Sequence, residues 1–479
     1  MSARWETVVG LEVHAQLLTR TKLFCGCPTS AGAPPNVQVC AVCLGLPGAL
    51  PAANREAIVL GVRAALALGL TVHEESVFAR KSYFYPDLPK GYQISQFERP
   101  LATGGQLDLE TSAGPRRVTL QRLHLEEDAG KSVHGHGGDS LVDLNRAGVP
   151  LAEIVSAPDL RSGEEAATYL RALRDVLVFQ GVNDGNLESG SFRCDANVSV
   201  RRQGSDTLGT RVELKNLNSF RFVQRAIEAE ARRQVALLEA GAAVDAETRS
   251  YDPEADRTAS LRGKEEAHDY RYFPDPDLPP LRVDEALLEA ARAGLGESPA
   301  ALRARWTEGL GVPAAAARTL ASHPRIAEFF QRALALGADA RRAAAWIPTE
   351  VLRGAEIDGL AATFRVTPEQ VTELLALVEE GVLSGKQAKD LQLEVEGTDA
   401  SPRAIAEGRG LRVVADEAAL AALCDELIAG AERQVAAYRK GQRGVLGWFV
   451  GQAMQRTRGA ADPRLVTRLL TERLDKPAS

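Results

Sequence analysis

Ser191-Phe-Arg-Cys-Asp-Ala-Asn-Val-Ser-Val-Arg201 alternates with a period of two along its whole length. Phe192, Cys194, Ala196, Val198 and Val200 fall on one side, and Arg193, Asp195, Asn197, Ser199 and Arg201 on the other. Strict alternation of this kind predicts a half-buried β-strand. The polar row carries a carboxylate, an amide and guanidinium groups, where an ordinary solvent face carries Lys and Thr. Such a row reads as the floor of a polar site.

The same grammar recurs elsewhere. In Leu11-Glu-Val-His-Ala-Gln-Leu17 the polar row is Glu12, His14 and Gln16; in Arg211-Val-Glu-Leu-Lys215 it is Arg211, Glu213 and Lys215. Val118 to Asp128 alternates less cleanly and ends in Glu126, Glu127 and Asp128. If these strands share a sheet, Glu12, His14, Asp195, Glu213 and one of Glu126 or Glu127 converge. Carboxylates and an imidazole gathered on a rigid sheet repel one another unless a cation neutralises them. Oxygen-rich ligation suits Mg²⁺ or Mn²⁺ better than zinc. Magnesium with flanking Lys and Arg is equipment for handling phosphates. One such strand alone reads better as a solvated amphipathic sheet, but several in one chain point to a site.

Bulk properties narrow the class. A chain of 479 residues leaves room for roughly two to four domains. Its net charge of −7 excludes a wholly basic nucleic-acid binder, so any RNA contact must be local. The apolar runs are too short and too charged to span a bilayer, and Met1-Ser-Ala-Arg-Trp5 runs straight into a strand pattern without a secretory signal. The expectation is a cytoplasmic protein with no membrane partner.

Four of the six cysteines fall together, as Cys25-Gly-Cys27 and Cys40-Ala-Val-Cys43. Two thiolate pairs a dozen residues apart can close a tetrahedral structural Zn²⁺ site; reduced thiols without metal are the alternative. Four sulfurs leave no open position for catalysis at zinc. Cys194 and Cys424 sit in apolar patterns and read as core residues.

The chain changes character along its length. Residues 1–296 mix strands, turns and helices with little βαβ alternation, which predicts an α+β fold with a mainly antiparallel sheet. Ser162-Gly-Glu-Glu165 predicts a capping box opening a helix that Gly181 ends, and a second helix runs from near Ser219 to Gly241. Residues 297–408 and 409–479 read as a helical domain and a helical tail. Pro313, Pro324, Pro348 and Pro368 break the helices of the former. In the tail, Arg433, Arg439, Lys440, Arg443, Arg456 and Arg458 occur with no acid from 433 to 461, a candidate RNA contact. Lys81, Lys90, Tyr83, Tyr85 and Tyr92 share a Pro-stiffened loop suited by charge and stacking to a nucleotide or a tRNA end. A second loop carries His268, Arg271, Asp275 and Asp277. Ala129-Gly-Lys-Ser132 imitates the end of a P-loop, but Leu125 stands where its first glycine belongs and the preceding acids repel phosphate.

Gly10-Leu-Glu-Val-His14, Tyr83-Phe-Tyr-Pro-Asp87, Leu125 to Lys131, Asp143 to Pro150, Phe192 to Asn197, Glu213 to Ser219 and His268 to Pro274 together resemble the GatB family, the B subunits of the aspartyl/glutamyl-tRNA(Asn/Gln) amidotransferases. The resemblance covers essentially the whole chain. It implies a glutamine-synthetase-like α+β catalytic domain followed by helical middle and tail domains, the tail contacting tRNA. It also implies the reaction: ATP phosphorylates the side-chain carboxylate of Glu-tRNA(Gln) or Asp-tRNA(Asn), and ammonia displaces the phosphate. The implied partners are an amidase (glutaminase) subunit, a small third subunit of the heterotrimer, misacylated tRNA(Gln) or tRNA(Asn), and a cognate aminoacyl-tRNA synthetase. The implied cofactors are ATP, Mg²⁺ and structural Zn²⁺. On this reading Glu12, His14, Glu126, Glu127, Asp195 and Glu213 form the pool of magnesium ligands, and Cys25, Cys27, Cys40 and Cys43 hold zinc. Lys81, Lys90, Arg193, Glu127 and Asp195 are the catalytic candidates, and Tyr83, Lys81, Lys90 and Arg193 contact the nucleotide. The alternative function is a non-catalytic tRNA-binding scaffold.

Overall fold

The computed structural model describes residues 5–134, 139–262, 270–411, 417–457 and 461–475. His268 and Arg458, singled out above, lie outside the described residues. The chain divides into two compact units, Met1–Pro299 and Ala300–Ser479.

The first unit is built on a nine-stranded sheet. Its strands are β1 (Trp5–Gln16), β2 (Thr71–Val72), β5 (Ala102–Thr111), β6 (Gly114–Glu127), β7 (Pro150–Ser156), β8 (Phe192–Arg202), β9 (Val212–Lys215), β10 (Thr248–Asp252) and β11 (Arg257–Arg262). The spatial order is β11-β10-β9-β8-β1-β7-β6-β5-β2, and every described pair is antiparallel except β9 with β10. Two further strands, β3 (Ala79–Ser82) and β4 (Tyr92–Ser95), pair with each other and, through β3, with Phe273–Pro274 in a small second sheet.

Alternation decides which way each strand faces. Leu11, Val13 and Ala15 of β1 and Phe192, Cys194, Ala196 and Val198 of β8 are buried in one core with α1 (Arg55–Ala67), α2 (Gly163–Phe179) and α3 (Phe220–Glu239). Each fully buried Leu, Val or Phe contributes about 1.5–3 kcal/mol. The alternate residues are thereby committed to the opposite face, because a register slip of one would exchange the two sets. Helices α2 and α3 approach so closely that a Cβ on Gly163 would lie 2.4 Å from the carbonyl oxygen of Gln224.

The helix boundaries follow their caps. The Ser162 hydroxyl accepts from the Glu165 amide at 3.0 Å, and Ser219 does the same for Phe222 at 3.1 Å. Gly181 and Gly241 follow with φ of 63° and 77°. Only half of the expected capping box forms, because the Glu165 carboxylate accepts instead from the Arg161 amide and from Arg116.

The second unit is helical. Pro324 and Pro368 open helices rather than breaking them, at the first turn where no N–H is needed. Pro313 occupies the cap before Ala314–Leu320. Pro348 lies in a widened π-type turn, Ile347–Val351, that continues Ala340–Trp346. Four helices between Glu417 and Leu474 bury a core of their own that includes Leu420, Cys424, Tyr438, Phe449 and Val466. The acid-free stretch is not free of acidic partners: Arg443 meets Asp475 at 2.5 Å and Arg456 meets Glu426 at 2.9 Å. Among the described residues no helix is long and apolar enough to cross a membrane.

Candidate active site

The polar face of the sheet floors a cavity of two lobes, about 480 and 540 Å³, both lined by His14, Lys81, Glu126 and Asp195. Strand register brings distant segments together there. Glu12 on β1 stands opposite Asp195 on β8, while His14 stands opposite Arg193 on one side and Glu153 of β7 on the other. Glu153 in turn faces His124 of β6. The ligand atoms of His14, Glu126 and Glu153 all lie within 4.8 Å of one another. His14 Nε2 is 3.4 Å from Glu153 and 3.7 Å from Glu126; His124 Nε2 is 3.1 Å from Glu153.

These groups set one another's charge. Burial opposes protonation of both imidazoles, but Glu153 and Glu126 outweigh it and hold His14 and His124 up at about 9. The same imidazoles overcome burial at Glu153 and keep its carboxyl well below the ordinary range. Burial and the neighbouring Glu153 raise Glu12, which accepts from the Asn197 amide at 2.9 Å. Asp195 and Glu213 both meet Lys215, at 2.7 and 3.1 Å. One imidazole and two carboxylates converging on one point fit a hard divalent cation such as Mg²⁺ or Mn²⁺.

Lys81 overhangs the floor from β3. Its ammonium lies 4.6 Å from the Tyr270 ring and is held above its ordinary pKa, chiefly by Glu126, against the effect of burial. Arg193 offers both terminal nitrogens to Asp128 at 2.9 Å, a bidentate pair that fixes it as a positive wall of the second lobe. Tyr83 lines that lobe and donates to Asp87 at 3.2 Å. Burial, and Asp87 beside it, push the Tyr83 phenol up.

This placement sets two of the residues singled out from the sequence apart from the cavity. Glu127 and Lys90 line neither lobe. They form a buried ion pair with each other, and Glu127 also accepts from the Ile94 amide at 2.8 Å. The reason is the period of the strand: Glu126 and Glu127 are consecutive, so only one can point into the cavity. Burial raises the Glu127 carboxyl despite Lys90.

Glu153, His124 and Arg122, all in the cavity, escaped the sequence reading. Glu153 is the lone acid in an apolar run, Pro150 to Ser156, so no alternating polar row drew attention to it. His124 and Arg122 share the row of Glu126 on β6, and strict counting by two from Glu126 finds both. Arg122 lines the first lobe, and among the described residues its buried Nε has no hydrogen-bond partner.

The GatB/GatE catalytic domain family matches residues 7–289, and the GatB domain family matches residues 328–474. The chain belongs to the GatB family of aspartyl/glutamyl-tRNA amidotransferases. The B subunit of the aspartyl/glutamyl-tRNA(Asn/Gln) amidotransferase of Anaeromyxobacter sp. (strain Fw109-5) is 52% identical over 476 residues, covering 98% of this chain and 99% of that protein. The protein of the same name from Geotalea uraniireducens is 49% identical over 477 residues, with 98% and 100% covered. That from Myxococcus xanthus is 50% identical over 472 residues, with 98% of each covered.

In this member of the family the four knuckle cysteines converge as well. Their sulfurs all lie within 4.8 Å of one another. A zinc ion held by sulfurs at about 2.3 Å has tetrahedron edges of roughly 3.8 Å, so the cluster fits one with slight closure. The Sγ atoms of Cys40 and Cys43 are 4.0 Å apart, and the Cys40 amide donates to Cys43 Sγ at 3.1 Å. Hydrogen bonding from Cys25 and from the Cys40 amide, with the charge of Lys22 behind them, pulls the Cys43 thiol down to about 4 against the effect of burial.

Proposed function

We propose that this chain carries the ATP-dependent activation step of a tRNA-dependent amidotransferase. The observation behind the reading is the convergence of His14, Glu126 and Glu153 beneath Lys81, in a cavity whose two lobes meet at that point. One lobe can take the phosphate donor and the other the aminoacyl end of Glu-tRNA(Gln) or Asp-tRNA(Asn). A carboxylate oxygen of the aminoacyl side chain attacks the γ-phosphorus of ATP, and ADP leaves. Ammonia then attacks the carbonyl carbon of the acyl phosphate, and inorganic phosphate leaves with the bonding pair. Activation is needed because a carboxylate carries charge and has no leaving group.

Bound magnesium would be held by His14, Glu126 and Glu153, with Glu12, Asp195 and Glu213 near it, and would supply charge neutralisation for phosphoryl transfer. Lys81, which lines both lobes, would offset the charge that develops on the transferring phosphoryl group. Arg122, whose buried Nε has no hydrogen-bond partner among the described residues, would receive an anionic substrate group. Arg193, pinned by Asp128, orients rather than reaches. Tyr83, beside the exposed Phe84, offers a stacking surface for a base.

The ammonia comes from an amidase subunit, clamped by a small third subunit, in the cytoplasm; a cognate aminoacyl-tRNA synthetase supplies the misacylated tRNA. Zinc at the four cysteines is structural. Within the helical unit, 297–408 and 409–479 act as separate parts, a division supported by the separate core of the last four helices. Exposed Arg433 and Lys440 there reach tRNA phosphates.

The test uses the assembled complex with ATP and misacylated tRNA, following ADP release and amidation. Glu153→Gln should lose both while glutamine hydrolysis by the partner persists. Normal ADP release in that variant, or no ATP consumption by the intact complex, sinks the proposal; the second outcome favours the scaffold.

A further inference from the structure

Lys22 is fully buried, with 0% of its surface exposed. Its amine reaches the Gln38 carbonyl at 2.7 Å, the Leu144 carbonyl at 3.3 Å and Cys43 Sγ at 3.6 Å. Three acceptors call for three N–H donors, the number an ammonium carries. Lysine is almost never fully buried without a charged partner. Among the described residues Lys22 forms no ion pair with a carboxylate; the one group at its tip able to carry negative charge is the Cys43 sulfur.

The converse need exists in the cysteine cluster. Four thiolates around a divalent ion carry two net negative charges, and Cys27 and Cys43 are buried. Negative charge taken out of water is costly unless a cation or N–H donors compensate it. Cys43 Sγ receives both kinds, the Cys40 amide and the Lys22 ammonium.

The same amine also holds a turn that borders the cavity. The turn that begins at Leu144 carries Arg146, which lines the second lobe and donates to the carbonyls of Ala129 and Gly130, each at 2.8 Å. Two residues on, the Gly148 amide donates to the Asp128 carbonyl at 2.8 Å, and Asp128 pins Arg193. A single nitrogen thus touches the sulfur cluster and the turn that frames the cationic wall.

We propose that Lys22 is the charge partner of the four-cysteine metal site, a buried ammonium that offsets the thiolate-bound ion and ties the knuckle to the turn bearing Arg146. This rests on the reading that the cysteines hold zinc. It goes beyond that reading in assigning metal affinity to a residue that is not a ligand.

The test is competition for zinc between the full-length chain and a chromophoric chelator. Lys22→Met removes the charge and all three contacts, whereas Lys22→Gln removes the charge and keeps donors for the two carbonyls. Both variants should bind zinc roughly 10–100-fold more weakly than the unmodified chain, the usual effect of losing an outer-sphere partner. With cobalt(II) in place of zinc, both should also shift the thiolate-to-metal charge-transfer band to longer wavelength, because the sulfur loses a charged donor. Unchanged zinc affinity in a folded Lys22→Gln chain overturns the proposal. So does failure of both variants to fold in excess zinc, which would make Lys22 a strut independent of the metal. If the unmodified chain itself binds no zinc, the zinc reading fails first.

Discussion

Two clusters of ligand-type side chains lie in the same unit and are built in opposite ways. His14, Glu126 and Glu153 project from three adjacent strands whose spacing is fixed by the hydrogen-bond ladder. Cys25, Cys27, Cys40 and Cys43 lie between residues 20 and 50, in turns and irregular chain with almost no regular structure. The first cluster has its geometry before any ion arrives, and its like charges are tolerated because two imidazoles share protons with the acids. The second has no ladder to hold it, so its geometry depends on what the sulfurs bind and on the buried Lys22. A sheet presents a site, whereas a loop needs a staple.

The sharpest contrast can be made between neighbours on one strand. Glu127→Gln leaves the Lys90 ammonium buried without its carboxylate, and breaking such a pair costs about 3–5 kcal/mol. Chemical denaturation should show that loss, with divalent-ion binding intact in the folded fraction; a stability change below about 1 kcal/mol would contradict the buried pair. Glu153→Gln should strike activity first. Its turnover in ATP-dependent amidation should fall by roughly 10²–10³-fold, the scale of losing one electrostatic element of a transition-state site. Its unfolding midpoint without divalent ions should fall as well, because His14 and His124 lose the carboxylate that holds them charged.

The acidity of the medium probes the sheet cluster. His14 and His124 are raised from 6.5 to about 9 in the folded chain, so their contribution to stability is complete below pH 6.5 and disappears as pH climbs through 9. Glu153 is depressed below 4.5, so its contribution is present above pH 4.5 and is lost as the medium is acidified through the lowered value. Without divalent ions the thermal midpoint should therefore be lower at pH 9.5 than at pH 6.5. Added magnesium should narrow the gap, since a cation replaces the protons. An equal or higher midpoint at pH 9.5 without metal would refute the shared-proton account. The smallest effect is expected at Arg122, where replacement by Gln should raise KM for ATP or for the aminoacyl-tRNA by about tenfold, one charged hydrogen bond lost, with kcat little altered. Steady-state kinetics with each substrate varied would show which.

The sequence made the sheet legible because alternation is local. The rows of β1, β8 and β9 can be counted by two, and the sheet joins them as their shared pattern requires. The four-cysteine cluster was legible from spacing alone. Glu153 was not, since one acid in an apolar strand becomes meaningful only when its neighbours across the ladder are known. The choice between Glu126 and Glu127 was not legible either, since the period says that one faces the cavity but only the ladder says which. Lys22 lay outside any motif. Its burial comes from chain segments more than a hundred residues apart closing over it, at Gln38 and Leu144. The tail reads in sequence as a stretch without acids from 433 to 461, and Glu426 and Asp475, from outside the stretch, answer two of its arginines.

The most direct test of the sheet-held cation site is titration of the zinc-loaded full-length chain with Mn²⁺, following the free ion by electron paramagnetic resonance. Binding should be clear in the unmodified protein, weakened at least tenfold by Glu153→Gln or His14→Gln, and unaffected in folded Glu127→Gln. Equal binding by the unmodified chain and Glu153→Gln would show that the ion sits elsewhere.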